Sequence, residues 1–238
     1  MKAIDEKTTV GEIVASDFRT ATVFNAHGID FCCKGKRTLE DVCKEQQLDT
    51  SLLFRELELV EQTMDREPHF DEWDLAKLIY FIEEKHHKYV KTHVPVIREF
   101  LEKLCTVHGT DHPELLEVRD LFQIGSENLL SHMLKEEHIL FPMVRKMILG
   151  LNADEGNSKP GFSVAMPIHI MLREHEAEGD RFARIKEVTS SYTVPEDGCA
   201  TYRAAFSLLK QFEEDLHHHI HLENNILFPK AIALEGAA

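Results

Sequence analysis

No run of about 18 apolar residues occurs in this 238-residue chain, so no segment is expected to span a membrane. The opening stretch MKAIDEKTTVGEIV lacks the apolar core of a secretory signal, and none is expected. Positive charge is scarce. The chain has 27 Lys and Arg against 42 Asp and Glu, a net charge of −15. That balance argues against nucleic acid or an anionic membrane surface as a partner. Cysteine is sparse too. Cys32, Cys33, Cys43, Cys105 and Cys199 are odd in number and too scattered for a disulfide framework, which suits a reducing cytoplasm. Strand signals are missing: there is no Asn-Gly hairpin pair and no sustained apolar–polar alternation.

What remains is helical. With 43% hydrophobic residues the chain can bury a substantial core, and its length suits one large domain or a medium and a small one. Residues 1–66 read as a small helical module. Thr8 or Thr9 can cap a first helix, and Ser16 or Asp17 a second that runs to Gly28. Thr38 with Asp41 resembles a capping box, and Asp49 or Thr50 can start a fourth helix. The stretch Arg66-Glu67-Pro68-His69 breaks the pattern and is the expected linker. Four long helices follow, at about 71–106, 113–149, 164–190 and 199–234, with a Gly/Asn/Ser/Pro-rich loop at 150–161. The expected fold is all-α: a small N-terminal helical domain, 1–66, then an up-down-up-down four-helix bundle, 67–238. Pro142 and Pro229 fall inside the second and fourth long helices and are expected to kink them.

An eleven-residue segment occurs twice. HMLKEEHILFP runs from His132 to Pro142, and HIHLENNILFP runs from His219 to Pro229. The His, the Glu four residues later and the closing Ile-Leu-Phe-Pro are shared. Residues four apart on a helix share a face, so His132 pairs with Glu136 and His219 with Glu223. An imidazole and a carboxylate on one face form half of a transition-metal site, and two such halves in one bundle suit a dinuclear centre. The other two helices must add ligands. The third offers His169 near its start and His175 at mid-helix depth, where the half-sites lie. The first offers His86, His87 and His93, and spacing does not choose between His86 and His87. His217, His218 and His221 are expected to be surface or supporting residues rather than ligands.

The segments HHKY (His86–Tyr89), SHMLKEEHILFP, REHE (Arg173–Glu176) and HIHLENNILFP resemble the hemerythrin-like domain of the iron–sulfur cluster repair family, ScdA/YtfE. GIDFCCKGKRTLEDVCKE, from Gly28 to Glu45, resembles that family's small N-terminal domain with its Cys-Cys pair, so the resemblance covers essentially the whole chain. It implies two non-haem irons, oxo- and carboxylate-bridged. Aligned through Leu75-Ala76 and Pro95, it implies His87, His132, Glu136, His175, His219 and Glu223 as ligands. It implies repair of clusters damaged by oxidative or nitrosative stress, with iron–sulfur proteins as clients. Oxygen-carrying hemerythrins have a second histidine one turn before the third-helix ligand. Here that position is Met171, so a coordination position is left for a small ligand. A second reading is therefore a protein that binds or reduces nitric oxide or oxygen at the same centre. A homodimer stays open. Glu174, beside His175, is expected to be an exposed helix acid.

Cys32 and Cys33 precede Lys34, Lys36 and Arg37. Nearby positive charge favours thiolate, so the pair reads either as redox-active or iron-delivering or as two buried small residues of a mini-core. The resemblance implies the functional role, with the thiols exposed on the loop. Cys43, Cys105 and Cys199 read as ordinary helix-face residues.

Overall fold

The computed structural model describes residues 4–61, 68–150 and 163–236. The loop expected at 150–161 and the start of the 66–69 linker lie largely outside the described residues. The regular structure of the described residues is all helical, with no strand among them and one isolated bridge between Thr9 and Thr38. No helix among them is long and apolar enough to cross a membrane. Contacts divide the chain into two compact units. Unit 1 is Met1–Leu78 with Ile220–Ala238, and unit 2 is Ile79–His219.

Unit 1 begins with short helices set by their caps. Helix α1 (Val10–Ser16) starts at Thr9, whose side chain accepts from the Glu12 amide while Glu12 reaches back to the Thr9 amide at 3.0 Å. That reciprocal pair satisfies two amides that the helix start leaves unpaired. Asp17 caps a 3₁₀ turn (Phe18–Thr20) that leads into α2 (Ala21–Ala26). Thr38 caps α3 (Leu39–Gln46), and the Asp49 carboxylate accepts from Ser51 and Leu52 at the start of α4 (Thr50–Glu61). Helix α2 ends where Gly28 turns left-handed at φ +65°. The Ile29 amide then donates to Phe24 O at 2.8 Å and the Gly28 amide to Asn25 O at 3.2 Å. This is a Schellman closure. It sends Ile29 and Phe31 into a core with Val10, Ile13, Phe24, Leu39, Val42, Leu53 and Leu57. The loop that follows pairs with α1, because Gly11 N donates to Gly35 O at 2.8 Å and Val10 N to Arg37 O at 3.0 Å. A Cβ on Gly35 would meet Phe31 O at 2.4 Å, so this close approach needs glycine.

Unit 2 holds the long helices. Helix α5 (Leu75–Phe81) passes through a π-helical stretch, Ile82–His87, into α6 (Lys88–His108). Helix α7 (Glu114–Lys135) passes through a π stretch, Glu136–Leu140, into α8 (Phe141–Ile148). Then come α9 (Ala165–Val188) and α10 (Ala200–Leu222). On α6, Val90, Val94, Ile97, Leu101 and Leu104 are buried, at alternating spacings of four and three. On α9 the stripe is Ile168, Met171, His175, Glu178, Phe182 and Ile185. This is the seam of helices packed at a small crossing angle. Phe122, Phe182 and Phe212 interlock three helices with centroids 5.3 Å to 6.4 Å apart, and Tyr89 of α6 lies 6.1 Å from Phe212.

The kinks expected at Pro142 and Pro229 take the form of π turns. Glu136–Leu140 and Glu223–Leu227 each widen the helix just before a Phe-Pro pair, and α11 (Phe228–Gly236) follows the second. A π turn inserts one residue, so the missing proline amide is absorbed without ending the helix.

Gly28→Ala should cost about 1 kcal/mol through its left-handed φ alone. Gly35→Ala, which forces backbone apart, should cost more. Calorimetric melting should therefore rank Gly35→Ala below Gly28→Ala and both below the parent chain, and the reverse order would refute the close-approach argument.

Candidate metal centre

The buried stripes of unit 2 become polar at one level. On α7, the face that carries Leu115, Val118, Phe122 and Leu129 continues to His132, and one turn later to Glu136. On α10, the face with Leu209, Phe212 and Leu216 continues to His219. His175 takes the place of a core residue on α9. In the π stretch before α6 the extra residue shifts the helix phase, so both His86 and His87 are buried, at 0% and 1% exposure. His132 and His175 are 2% exposed, His219 is 1% and Glu136 is 0%. A carboxylate at that depth needs a compensating cation or a full set of donors.

The donors converge in two groups that share Glu136. In one, ligand atoms of His87, Glu136 and His219 lie within 4.8 Å of one another; in the other, those of His132, Glu136 and His175 do. Glu136 Oε2 is 3.3 Å from His87 Nε2, and Oε1 is 3.2 Å from His132 Nε2. His132 and His175 bring their Nε2 atoms to 2.9 Å. Two donors, each about 2.1 Å from one ion, stand about 3.0 Å apart at a right angle and about 3.4 Å apart at a tetrahedral angle. The residues therefore fit cation binding around a shared carboxylate.

Two of the histidines are aimed from behind. Glu137 Oε1 holds His87 Nδ1 at 2.7 Å and also takes Lys91 Nζ at 2.7 Å. Glu174 Oε2 holds His132 Nδ1 at 2.8 Å, and Lys135 pairs with the other Glu174 oxygen. A carboxylate on Nδ1 fixes the tautomer, turns Nε2 inward and raises its basicity. Partial burial works to raise Glu137, but Lys91 and His87 outweigh it and hold its carboxyl below the usual range. The His132 contact, with Lys135 behind it, holds the Glu174 carboxyl down at about 2. Glu174 is thus not the exposed helix acid that the sequence suggested. His86, the neighbour left open by spacing, is 3.0 Å from Asp215 through Nδ1, and its ring stacks on His219 at 5.3 Å.

Glu223 stands one turn beyond His219 on the continuing helix and is 0% exposed. Met171 sits one turn before His175 on the same stripe and is 2% exposed. His221 corrects an expectation. It is buried in unit 1 against Phe18 and Phe31, at ring distances of 5.8 Å and 5.9 Å, and burial pushes its imidazole down to about 3.

The cysteine loop needs correction as well. Lys34 and Lys36 are exposed, but the turn at Gly28 carries Cys32 inward to 4% exposure, with Cys33 half-buried. The adjacent Cys33 thiol, burial and the Asp30 charge together hold Cys32 well above the ordinary thiol range. Cys32 is therefore a buried thiol, not an exposed thiolate. Missed altogether in the sequence were Glu137, Asp215, Asn224 and Asn225. Only the Glu-Glu doublet of the first copy and the Asn-Asn doublet of the second could have signalled some of them.

This geometry defines a helical protein with a cation-binding centre, and comparison with known families agrees. Residues 78–231 match the Hemerythrin HHE cation binding domain, and residues 6–61 match ScdA_N, a Domain of Unknown function (DUF542). The chain is 35% identical to the iron-sulfur cluster repair protein YtfE of Yersinia pseudotuberculosis, covering 94% of this chain and 96% of that protein. It is 33% identical to YtfE of Yersinia pestis, with the same coverage. It is 28% identical to the iron-sulfur cluster repair protein ScdA of Staphylococcus haemolyticus, covering 95% of this chain and 99% of that protein. The chain belongs to the ScdA/YtfE family of hemerythrin-domain proteins.

Removing the support behind His132 tests the aiming argument. Glu174→Ala should weaken metal binding by about 10- to 100-fold, read by competition with a chelator. Glu176→Ala, two residues on and exposed, should leave binding unchanged. Equal effects from both substitutions would strip Glu174 of this role.

Proposed function

We propose that this chain repairs damaged iron–sulfur clusters, with two non-haem irons held by His87, His132, Glu136, His175, His219 and Glu223, and that it does so in the cytoplasm by supplying iron. The observation that carries the reading is Glu136, a fully buried carboxylate facing one imidazole through each oxygen. Glu223 repeats the half-site pattern one turn after His219 and is proposed as the second shared carboxylate. The relatives' printed name, iron-sulfur cluster repair protein, supports the role.

When bound, the irons would supply redox and ligand-exchange chemistry. The chain's own residues supply the rest. Glu137 and Glu174 keep the Nδ1 protons of His87 and His132 and so present Nε2 as the donor. Met171 fills its stripe position with an apolar thioether where a further imidazole would close the coordination. A centre left one ligand short exchanges more readily than a closed one. The same opening favours the second reading, a centre that binds or reduces nitric oxide or oxygen. In the proposed division of labour, 67–238 hold the ligands and 1–66 hold the cysteine pair, which governs delivery to iron–sulfur protein clients.

The test is reactivation of a cluster-damaged enzyme by the iron-loaded chain, with metal analysis alongside. The parent chain should carry two irons and restore activity, and Glu136→Ala should lose most of both. His217→Ala should lose little, and if it empties the centre while His219→Ala does not, the helix register is wrong. Cys32→Ala with Cys33→Ala should keep iron near normal but lower reactivation. Nitric oxide consumption with no reactivation would favour the second reading.

Met171→His should place an imidazole on the His175 face. Iron should then resist chelators longer while reactivation falls. Unchanged retention would mean that position 171 does not face the centre.

A further inference from the structure

A second constellation lies in unit 1 and shares no residue with the His/Glu groups. Asp30, Cys32 and Cys33 bring one carboxylate oxygen and two sulfurs within 4.8 Å of one another. The two sulfurs are 3.7 Å apart, far beyond disulfide length. Cys32 Sγ is 3.4 Å from Asp30 Oδ1. These separations are informative. Two thiolates about 2.3 Å from one tetrahedral ion stand about 3.8 Å apart, and a thiolate and a carboxylate oxygen about 3.5 Å apart. The loop already holds two of its three donor pairs at those spacings.

The backbone holds them there. Asp30 Oδ1 accepts from the amides of Cys33 at 2.9 Å and Cys32 at 3.1 Å, which locks the carboxylate against the thiols. Arg37 donates to Asp30 O at 3.3 Å and pairs with Glu45 at 2.8 Å, so its charge is drawn off to the side. From the other side, Asn224 Nδ2 donates to Cys32 O at 3.0 Å and Asn225 Nδ2 to Phe31 O at 3.1 Å. Asn225 is seated against Gly11 and Gly35, where an added Cβ would come within 2.6 Å and 2.8 Å of its Oδ1. A loop with this many fixed points is preorganised, and preorganised donors bind a cation with little ordering cost.

We propose that Asp30, Cys32 and Cys33 form a distinct metal site for a thiophilic divalent cation such as zinc or cobalt. Two thiolates and a carboxylate neutralise and ligate the ion, and its arrival displaces the thiol protons to water. Three protein ligands leave a tetrahedral ion one open position, through which a donor atom of an acceptor can reach the metal. Half-buried Cys33 is the exposed edge through which exchange occurs. The site gives the cysteine pair a chemical role that does not depend on the proposed di-iron centre.

The probe is cobalt(II), added to the reduced full-length chain and followed by its thiolate charge-transfer absorption in the near ultraviolet. One cobalt per chain should saturate that band. Cys33→Ser should abolish it and Asp30→Asn should weaken binding. Cys33 is the position to change first, because Cys32 is buried in the core and its loss also tests folding. Cys199→Ser, at an exposed thiol outside the cluster, should keep the band. His219→Ala should keep it too while losing histidine-bound metal, which separates failure of this site from failure of the di-iron reading. No thiolate band in the parent chain, or a band that survives Cys33→Ser in a folded protein, overturns the proposal.

Discussion

A carboxylate with no exposed surface, fixed between imidazoles of two helices, is the constraint that organises unit 2. Moving an anion out of water costs several kcal/mol even after relaxation, so Glu136 has to meet its partners in place. His87 and His132 meet it at 3.3 Å and 3.2 Å. That requirement fixes the helices at this level more tightly than apolar packing could, since apolar contacts tolerate sliding and directed donors do not. The phenylalanines Phe122, Phe182 and Phe212 interlock three helices in the apolar core, and the polar level supplies the register. The π stretches follow from the same demand. Each inserts a residue beside a proposed ligand, at Ile82–His87, Glu136–Leu140 and Glu223–Leu227.

The duplicated segment has kept its His and Glu and changed the two residues that follow the Glu. After the shared Glu, the first copy has Glu137-His138 and the second has Asn224-Asn225. A carboxylate only accepts, and Glu137 accepts from His87 and Lys91. A carboxamide also donates, and Asn224 and Asn225 donate to the carbonyls of Cys32 and Phe31. The exchange of acceptor for donor therefore turns a support for an imidazole into an anchor for a loop. A glutamate at 224 would bring its charge against the Cys32 carbonyl oxygen, which already carries a partial negative charge.

The helices, their caps and the level of the polar groups were legible in the sequence, because those signals are local. Thr9 with Glu12 and Thr38 with Asp41 lie within one turn of each other, and the core stripes repeat along each helix. What could not be read came from tertiary placement. A straight helix puts one of His86 and His87 inside, but the π stretch puts both there. The basic residues after Cys33 suggested thiolate, but Lys34 and Lys36 are exposed while Cys32 is buried, so the Cys33 thiol, burial and the Asp30 charge outweigh them. His221 has a polar side chain on a histidine-rich helix, yet it packs on Phe18 and Phe31, which lie some two hundred residues earlier. Glu174 passed for a surface acid because only the neighbouring helix reveals that it faces His132.

Both proposed sites share one chemical property, an incomplete donor set held by a rigid frame. On the third helix Met171 shares the buried stripe of His175, and in the proposed centre an imidazole there would add a ligand. In the loop, three donors stand where a structural metal would take four. Rigid frames keep affinity high, because no ordering has to be undone at each binding event. Open positions keep exchange fast, because an incoming ligand need not first displace a protein donor. A storage protein would gain from closing both sites, whereas a protein that must release its metal to a client needs affinity without closure. Under these proposals, Met171 and the open fourth position of the cysteine loop are where supply would differ from storage.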